Sequence, residues 1–284
     1  MNAFGGTRMK GYAIPQEVKR YVAHDMIQAH TKLPSFANER IALLYAFLKR
    51  NEDNQQFTER MAAVTLLVQL GIDTHNTVEY ATSSTSDRNM RSRQLKVLAG
   101  DYFSSRFYQM LAEAGQIEAI QLLSRAVCEV NRLKMTVAAS VRDGSMNHSR
   151  YYEHAVKIKQ CLFHAFNEWL NRADVELYEQ LLDLISEREV IQEELENVKQ
   201  HAVDSHSWTY WLVMEHASSA QRSRWQHEAI VQQEWDELLS QCRPEVILQE
   251  RMKSVEERLS IVLGTIVSDT QSSLVESIVS ELAI

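Results

Sequence analysis

Val97-Leu98-Ala99-Gly100-Asp101-Tyr102-Phe103-Ser104-Ser105-Arg106-Phe107 is the stretch whose reading decides the fold. It lies in a run without proline from Asp87 to Ala114, broken internally only by Gly100. Ala99, Phe103, Phe107 and Met110 recur at helical spacing and predict one apolar stripe. Gly100 and Ser104, four residues apart, make a small-residue notch where a second helix backbone can approach closely. Glycine inside a helix costs about 1 kcal/mol relative to alanine, so the notch is expected to serve packing. Asp101, Ser105 and Tyr108 fall on a separate, more polar strip.

The rest of the chain agrees with a helical protein. Its 284 residues contain 8 Gly and 3 Pro, a low count of breakers that predicts long helices with short connections. A hydrophobic share of 45% is enough for a sizeable core. The net charge of −8 speaks against a general nucleic-acid binder, which needs a basic face. Cys128, Cys161 and Cys242 are far apart and show no Cys-x-x-Cys spacing, so free thiols, buried or partly so, in a reducing cytoplasm are expected. No apolar run reaches the roughly 18–20 residues of a membrane span, and no signal-peptide core is seen, so a cytoplasmic location follows.

Along the chain, residues 1–13 carry Gly5, Gly6 and Gly11 and read as a mobile arm, with a single all-helical domain over 14–284. Pro15 opens a helix that runs to about His30 and is broken by Leu33-Pro34. Ser35 or Asn38 is expected to cap the next, with Ile41, Leu44, Tyr45 and Leu48 on its apolar face. Phe57 to Gly71 is apolar almost all round and belongs at a bundle centre. Polar residues from Thr74 to Arg93 follow, with Thr82 to Ser86 as a loop. Arg88, Arg91, Arg93 and Lys96 are read as a solvated helix start, or else as a contact to an acidic partner or a diphosphate.

Gly115 ends the central helix, and a long one follows through Val141. Asp143-Gly144 is the clearest turn, and a further helix spans about Ser149 to Leu170. From Leu177 the spacing becomes heptad-like through Leu181, Leu184, Arg188, Ile191, Leu195 and Val198, a short seam for internal packing. Trp208, Trp211, Trp225 and Trp235 are assigned to the core first and to an interface second. Pro244 opens a last helix with Val255, Leu259, Val262 and Ile266 on one face, with Leu274, Ile278 and Leu282 as its expected continuation.

The quoted stretch resembles the second signature of the trans-isoprenyl diphosphate synthases, roughly Val-Leu-Ala-Gly-Asp-Phe/Tyr followed by Leu-Leu-Ala-Arg-Ala. Gly100-Asp101-Tyr102 and Arg106-Phe107 match it; Ser104-Ser105 departs from it. In the catalytic members an Asp-Asp-x-x-Asp-type motif that holds magnesium lies a few dozen residues earlier. Here Gln69, Leu70 and Gly71 stand about where His-Asp-Asp is expected, and Asp73 alone survives nearby. No two aspartates are adjacent anywhere. Magnesium requires near-octahedral oxygen coordination, which a leucine and a glycine cannot supply.

That combination is similar to component 1 of the bacterial two-component heptaprenyl diphosphate synthases. The resemblance is tightest over Ile41 to Met135 and includes the opening around Leu33 to Leu48. It implies an all-α degenerate isoprenyl-synthase bundle of roughly eight to ten helices. It also implies a non-catalytic regulatory subunit that binds no metal itself and supports an Asp-rich partner carrying Mg2+, in menaquinone side-chain synthesis. Gly100, Asp101, Tyr102, Phe103, Arg106 and Phe107 would face or support that partner. Leu66, Leu67, Leu70 and Phe103 would lie on the side of the product tunnel. A homodimer of the chain alone, an autonomous class I prenyl or terpene enzyme, and a helical scaffold docking through its heptad and tryptophans are the alternatives.

Other chemistry finds little support. His201, Asp204 and His206, or Asp73, His75 and Glu79, lack the spacing of a catalytic zinc site. There is no Gly-x-Ser-x-Gly elbow and no phosphate loop. Asp101 is expected to bond a neighbouring helix, and the pairs Glu193-Glu194 and Glu256-Glu257 to be solvated.

Overall fold

In the computed structural model of the protein, residues 18–19, 21–22, 27, 33–52, 54–78, 87–200, 203–225, 228 and 230–268 are described. The arm expected over residues 1–13 and the extension through Leu274, Ile278 and Leu282 lie outside them. Among the described residues all regular structure is helical, as the scarcity of breakers predicts. The helices are α1 (Asn38–Asn51), α2 (Gln55–Asn76), α3 (Asp87–Glu113), α4 (Ile117–Arg142), α5 (His148–His164), α6 (Arg172–Lys199), α7 (Trp208–His216), α8 (Ser219–Trp225), α9 (Gln232–Cys242) and α10 (Pro244–Ser268). A 3-10 turn, Ala165–Trp169, follows α5.

Two compact units emerge from the contacts. One comprises 1–127, 162–178 and 266–284, the other 128–161 and 179–265. The first is built around α2, whose residues 61–71 are all buried. That is the all-round apolar helix expected from sequence, five residues longer than Gly71 because Thr74 and Asn76 continue it. Asn54 caps it, its side chain accepting from the Phe57 N–H at 3.1 Å. At the other end Lys96 donates to the Thr77 carbonyl at 2.8 Å, placing a cation at the negative end of the helix dipole. Lys96 is therefore a cap, while Arg91 is exposed at the start of α3.

α1 begins after Ala37, with no side-chain cap, so neither Ser35 nor Asn38 has the role assigned to it. Its face is buried from Arg40 to Leu48. Asn51 and Arg50 at its end reach Asp174, at 3.3 and 3.2 Å, and the Asn51 side chain accepts from the Asn171 N–H. Tyr178 packs edge-on against Phe47 with centroids 5.2 Å apart. Gly115 at φ +68° and Gly144 at φ +73° make the turns read from sequence, left-handed conformations that glycine adopts without strain.

The second unit holds four of the five tryptophans. Trp208 and Trp235 are fully buried, and Trp225 nearly so, which supports the core assignment for these three; Trp211 is partly exposed. Tyr210 stacks on Trp235 at 5.8 Å, and the Arg251 guanidinium lies over the Tyr152 and Trp208 rings. Within the seam Leu181, Leu184 and Ile191 are buried, whereas Leu195 and Val198 remain partly accessible. Its packing is internal, as expected.

Glu194 corrects the sequence reading. It is not solvated but 5% exposed, on α6 against the start of α7. The Ser207 hydroxyl donates to its carboxylate at 2.7 Å and the Thr209 N–H at 3.4 Å. Burial pushes its pKa up despite these bonds. A folded-state value raised above the unfolded one gives a stabilising contribution that is full below the ordinary carboxylate range and lost as pH rises through the folded value. Glu194→Gln keeps an acceptor for Ser207 and should melt higher than the parent at pH 7. The gap should close below about pH 4.5 in thermal melts.

Cys128 is exposed rather than buried, Cys161 is half-buried and Cys242 is buried; all three are free thiols. Burial raises the Cys161 thiol to about 11 and shifts Cys242 in the same direction.

Candidate functional site

The site lies where α2 and α3 pack against one another. Gly71, on α2, has its α-carbon so near α3 that an added Cβ would meet Ser104 Oγ at 3.0 Å and the Gly100 carbonyl oxygen at 3.2 Å. Gly100, on α3, faces the His75 ring, whose atoms would stand 2.6–2.8 Å from a Cβ there. The notch of Gly100 and Ser104 is thus filled from within the chain, by Gly71 and His75 one helical turn apart. Sequence reading identified one half of this contact. Its other half was visible as a small residue followed by His at i+4 on α2.

The two glycines differ in tolerance. A methyl at position 100 meets the far end of an exposed side chain, which can rotate away. At position 71 it meets backbone, which cannot. Gly71→Ala gains about 1 kcal/mol of helix propensity against an overpacking cost of about 1–3 kcal/mol. It should lower the urea midpoint, whereas Gly100→Ala should leave it level or raise it.

The signature residues divide by side of the helix. Ala99, Phe103, Phe107 and Leu111 are buried in the first unit. Leu98 is 61% exposed, Tyr108 45% and Val97 39%, and Asp101 and Ser105 are exposed on the same side. Asp101 stands 3.5 Å from His75 Nε2, the link to a neighbouring helix read for it from sequence. Tyr108 shares a hydrogen bond with Ser124 at 2.8 Å. The Arg106 guanidinium lies 5.0 Å from the centre of the Tyr102 ring, and both side chains are partly exposed. Phe103 and Phe107 therefore support the outer face of α3, while Leu98, Asp101 and Tyr108 present it.

The positions of the degenerate metal motif carry a different arrangement. Gln69 is buried; its amide nitrogen donates to both Asp73 carboxylate oxygens at 2.9 Å. Its amide oxygen accepts from Arg40 Nη1 at 3.2 Å. Arg40 itself is 2% exposed and stacks over Phe163 with its Cζ 4.9 Å from the ring centre. Burial raises the neighbouring Tyr178 hydroxyl far above its usual range, and it donates to the Phe163 carbonyl. Leu66, Leu67 and Leu70 are buried on α2, none more than 2% exposed. Among the described residues no group of three or more His, Cys, Asp or Glu side chains is placed to hold a metal ion. His201 and Glu79 lie outside the described residues.

Sequence reading overlooked Arg40. The signal was there: a charged residue at i, i+4 and i+7 with Leu44 and Phe47 on an apolar helix face.

Among the described residues, no helix is long and apolar enough to cross a membrane. Solved structures similar to this chain include three polyprenyl synthases. A heptaprenyl diphosphate synthase from Staphylococcus aureus superposes with a TM-score of 0.64 at 13% identity, covering 96% of this chain and 98% of that one. A polyprenyl synthase from Caulobacter crescentus CB15, complexed with calcium and isoprenyl diphosphate, gives 0.63 at 13% identity over 95% and 93%. A decaprenyl diphosphate synthase from Rhodobacter capsulatus gives 0.61 at 12% over 94% and 95%. At such identities the likeness establishes the fold, the one expected from sequence. The heptaprenyl diphosphate synthase component 1 of Geobacillus stearothermophilus is 35% identical over 77 residues, which are 27% of this chain and 33% of that protein. The sequence model for heptaprenyl diphosphate synthase subunit 1 matches residues 24–241. A match over that much of the chain places it in a family: it belongs to the subunit 1 proteins of heptaprenyl diphosphate synthase.

Proposed function

We propose that this chain is the non-catalytic, regulatory subunit of a heteromeric heptaprenyl, or similar long-chain, diphosphate synthase. Its partner supplies the aspartate-rich motifs and Mg2+, and the pair makes the menaquinone side-chain precursor. One observation carries the reading: within an isoprenyl-synthase fold, the motif positions on α2 hold an amide, a buried leucine and a glycine closed by α3, with Asp73 alone as an acid. A diphosphate–magnesium complex is bound through several carboxylates, and this stretch cannot provide them.

The outer side of α3 is the surface proposed for the partner. Leu98, Asp101 and Tyr108 would touch it, and Gly100, Tyr102, Phe103, Arg106 and Phe107 would hold that face in place. Leu66, Leu67, Leu70 and Phe103 would brace the wall against which the growing chain stops. The buried tryptophans of the second unit leave the scaffold alternative with less surface to dock through.

Co-expression with an aspartate-rich synthase from the same genome, followed by affinity purification through this chain, tests the assembly. A stoichiometric complex that elongates farnesyl diphosphate is expected. Recovery of this chain alone, from cells that make both proteins in folded form, would contradict it.

A further inference from the structure

We infer that Arg40 is the resident cation of the α1–α2 pair, and that it closes the degenerate motif to a divalent ion. The inference rests on the regulatory reading and extends it: the site is obstructed, in addition to lacking acids. Three features converge on the same turn of α2.

The first is charge. Arg40 is 2% exposed and donates to Gln69, whose amide donates in turn to both oxygens of Asp73. Both oxygens a metal would need already accept from the Gln69 amide. An added divalent ion would also stand beside a desolvated guanidinium, where like charges repel with little screening. The second is direction. Leu70, the next motif position, is 2% exposed and packs inward. The third is space. At Gly71 even a Cβ meets the Gly100 carbonyl at 3.2 Å, so a carboxylate side chain cannot be placed there without parting α2 from α3.

The fixed charge also explains how Gln69 is tolerated in the core. A buried amide must satisfy both its oxygen and its nitrogen, and Arg40 and Asp73 do so on its two sides. The motif has thereby become a structural link from a buried cation to a partly exposed acid.

The test adds an acid and then removes the cation, in the full-length chain, with Mn2+ as the probe followed by electron paramagnetic resonance. Gln69→Glu sets two carboxylates at i and i+4, with Arg40 beside them. It should bind Mn2+ no better than the parent. It should melt below the parent, because the new carboxylate faces Asp73 where the amide donated, yet still fold, because Arg40 supplies a counter-charge. Gln69→Glu/Arg40→Met should bind Mn2+ at least about tenfold more tightly than Gln69→Glu. Equal Mn2+ affinity in the two variants, whether both bind or neither does, would overturn the inference. If the double variant does not fold, the Mn2+ affinity of Gln69→Glu decides alone, and binding tighter than the parent's overturns the inference. The parent's own behaviour separates the two levels: tight Mn2+ binding by the unaltered chain would count against the regulatory reading as well.

Discussion

Phe103→Asp should leave the isolated chain without a cooperative thermal transition. Phe103 is fully buried against the α2–α3 contact, beside the Gly71 notch. Truncating a core phenylalanine costs about 3–5 kcal/mol. An unpaired carboxylate in the same place adds several more. Against a typical domain stability of about 5–15 kcal/mol, the sum removes the native state. Phe103→Leu, which keeps an apolar side chain, should still melt cooperatively at a lower temperature. Far-UV circular dichroism on heating distinguishes the two. A native-like melt for Phe103→Asp would mean that the ring does not lie in the core. A lost complex in this variant would report on folding, so the partner surface has to be probed elsewhere.

Leu98→Asp is the variant for that purpose. Leu98 is 61% exposed on the outer side of α3, so the free chain should keep its melting temperature, as surface changes generally stay within about 0.5 kcal/mol. Affinity for the catalytic subunit should fall at least about tenfold, equivalent to about 1.4 kcal/mol. Tyr108→Ala should act in the same direction. Surface plasmon resonance against the immobilised partner reads both. Unchanged affinity in the two variants would move the contact off this helix.

The fold was legible because its signals are local. A proline-free run gave α3, two glycines forced into left-handed turns gave its end and that of α4, and an all-round apolar segment gave the buried α2. Where the chain departs from expectation, the cause is tertiary. Helical spacing carried α5 through Leu170, yet the chain tightens into a 3-10 turn at Ala165, placing Phe166 fully in the core and Trp169 against Phe57. Glu194 looked solvated beside Glu193, but the start of α7 approaches it from 13 residues on and supplies donors. No spacing rule reveals that meeting.

The site was half legible for the same reason. Missing aspartates and the small-residue notch can be read off the chain. What fills the vacated place cannot, since Arg40 and Gln69 come from separate helices 29 residues apart. The division of α3 into a supporting side and a presenting side also needed the position of α2, which buries Gly100 and Phe103 and leaves Leu98 outside.

Turnover by the purified chain alone, given farnesyl and isopentenyl diphosphates with Mg2+, is the most direct measurement of the central claim. No consumption of either substrate is predicted, with elongation appearing once the aspartate-rich subunit is added. Magnesium-dependent elongation by the chain on its own would contradict the account.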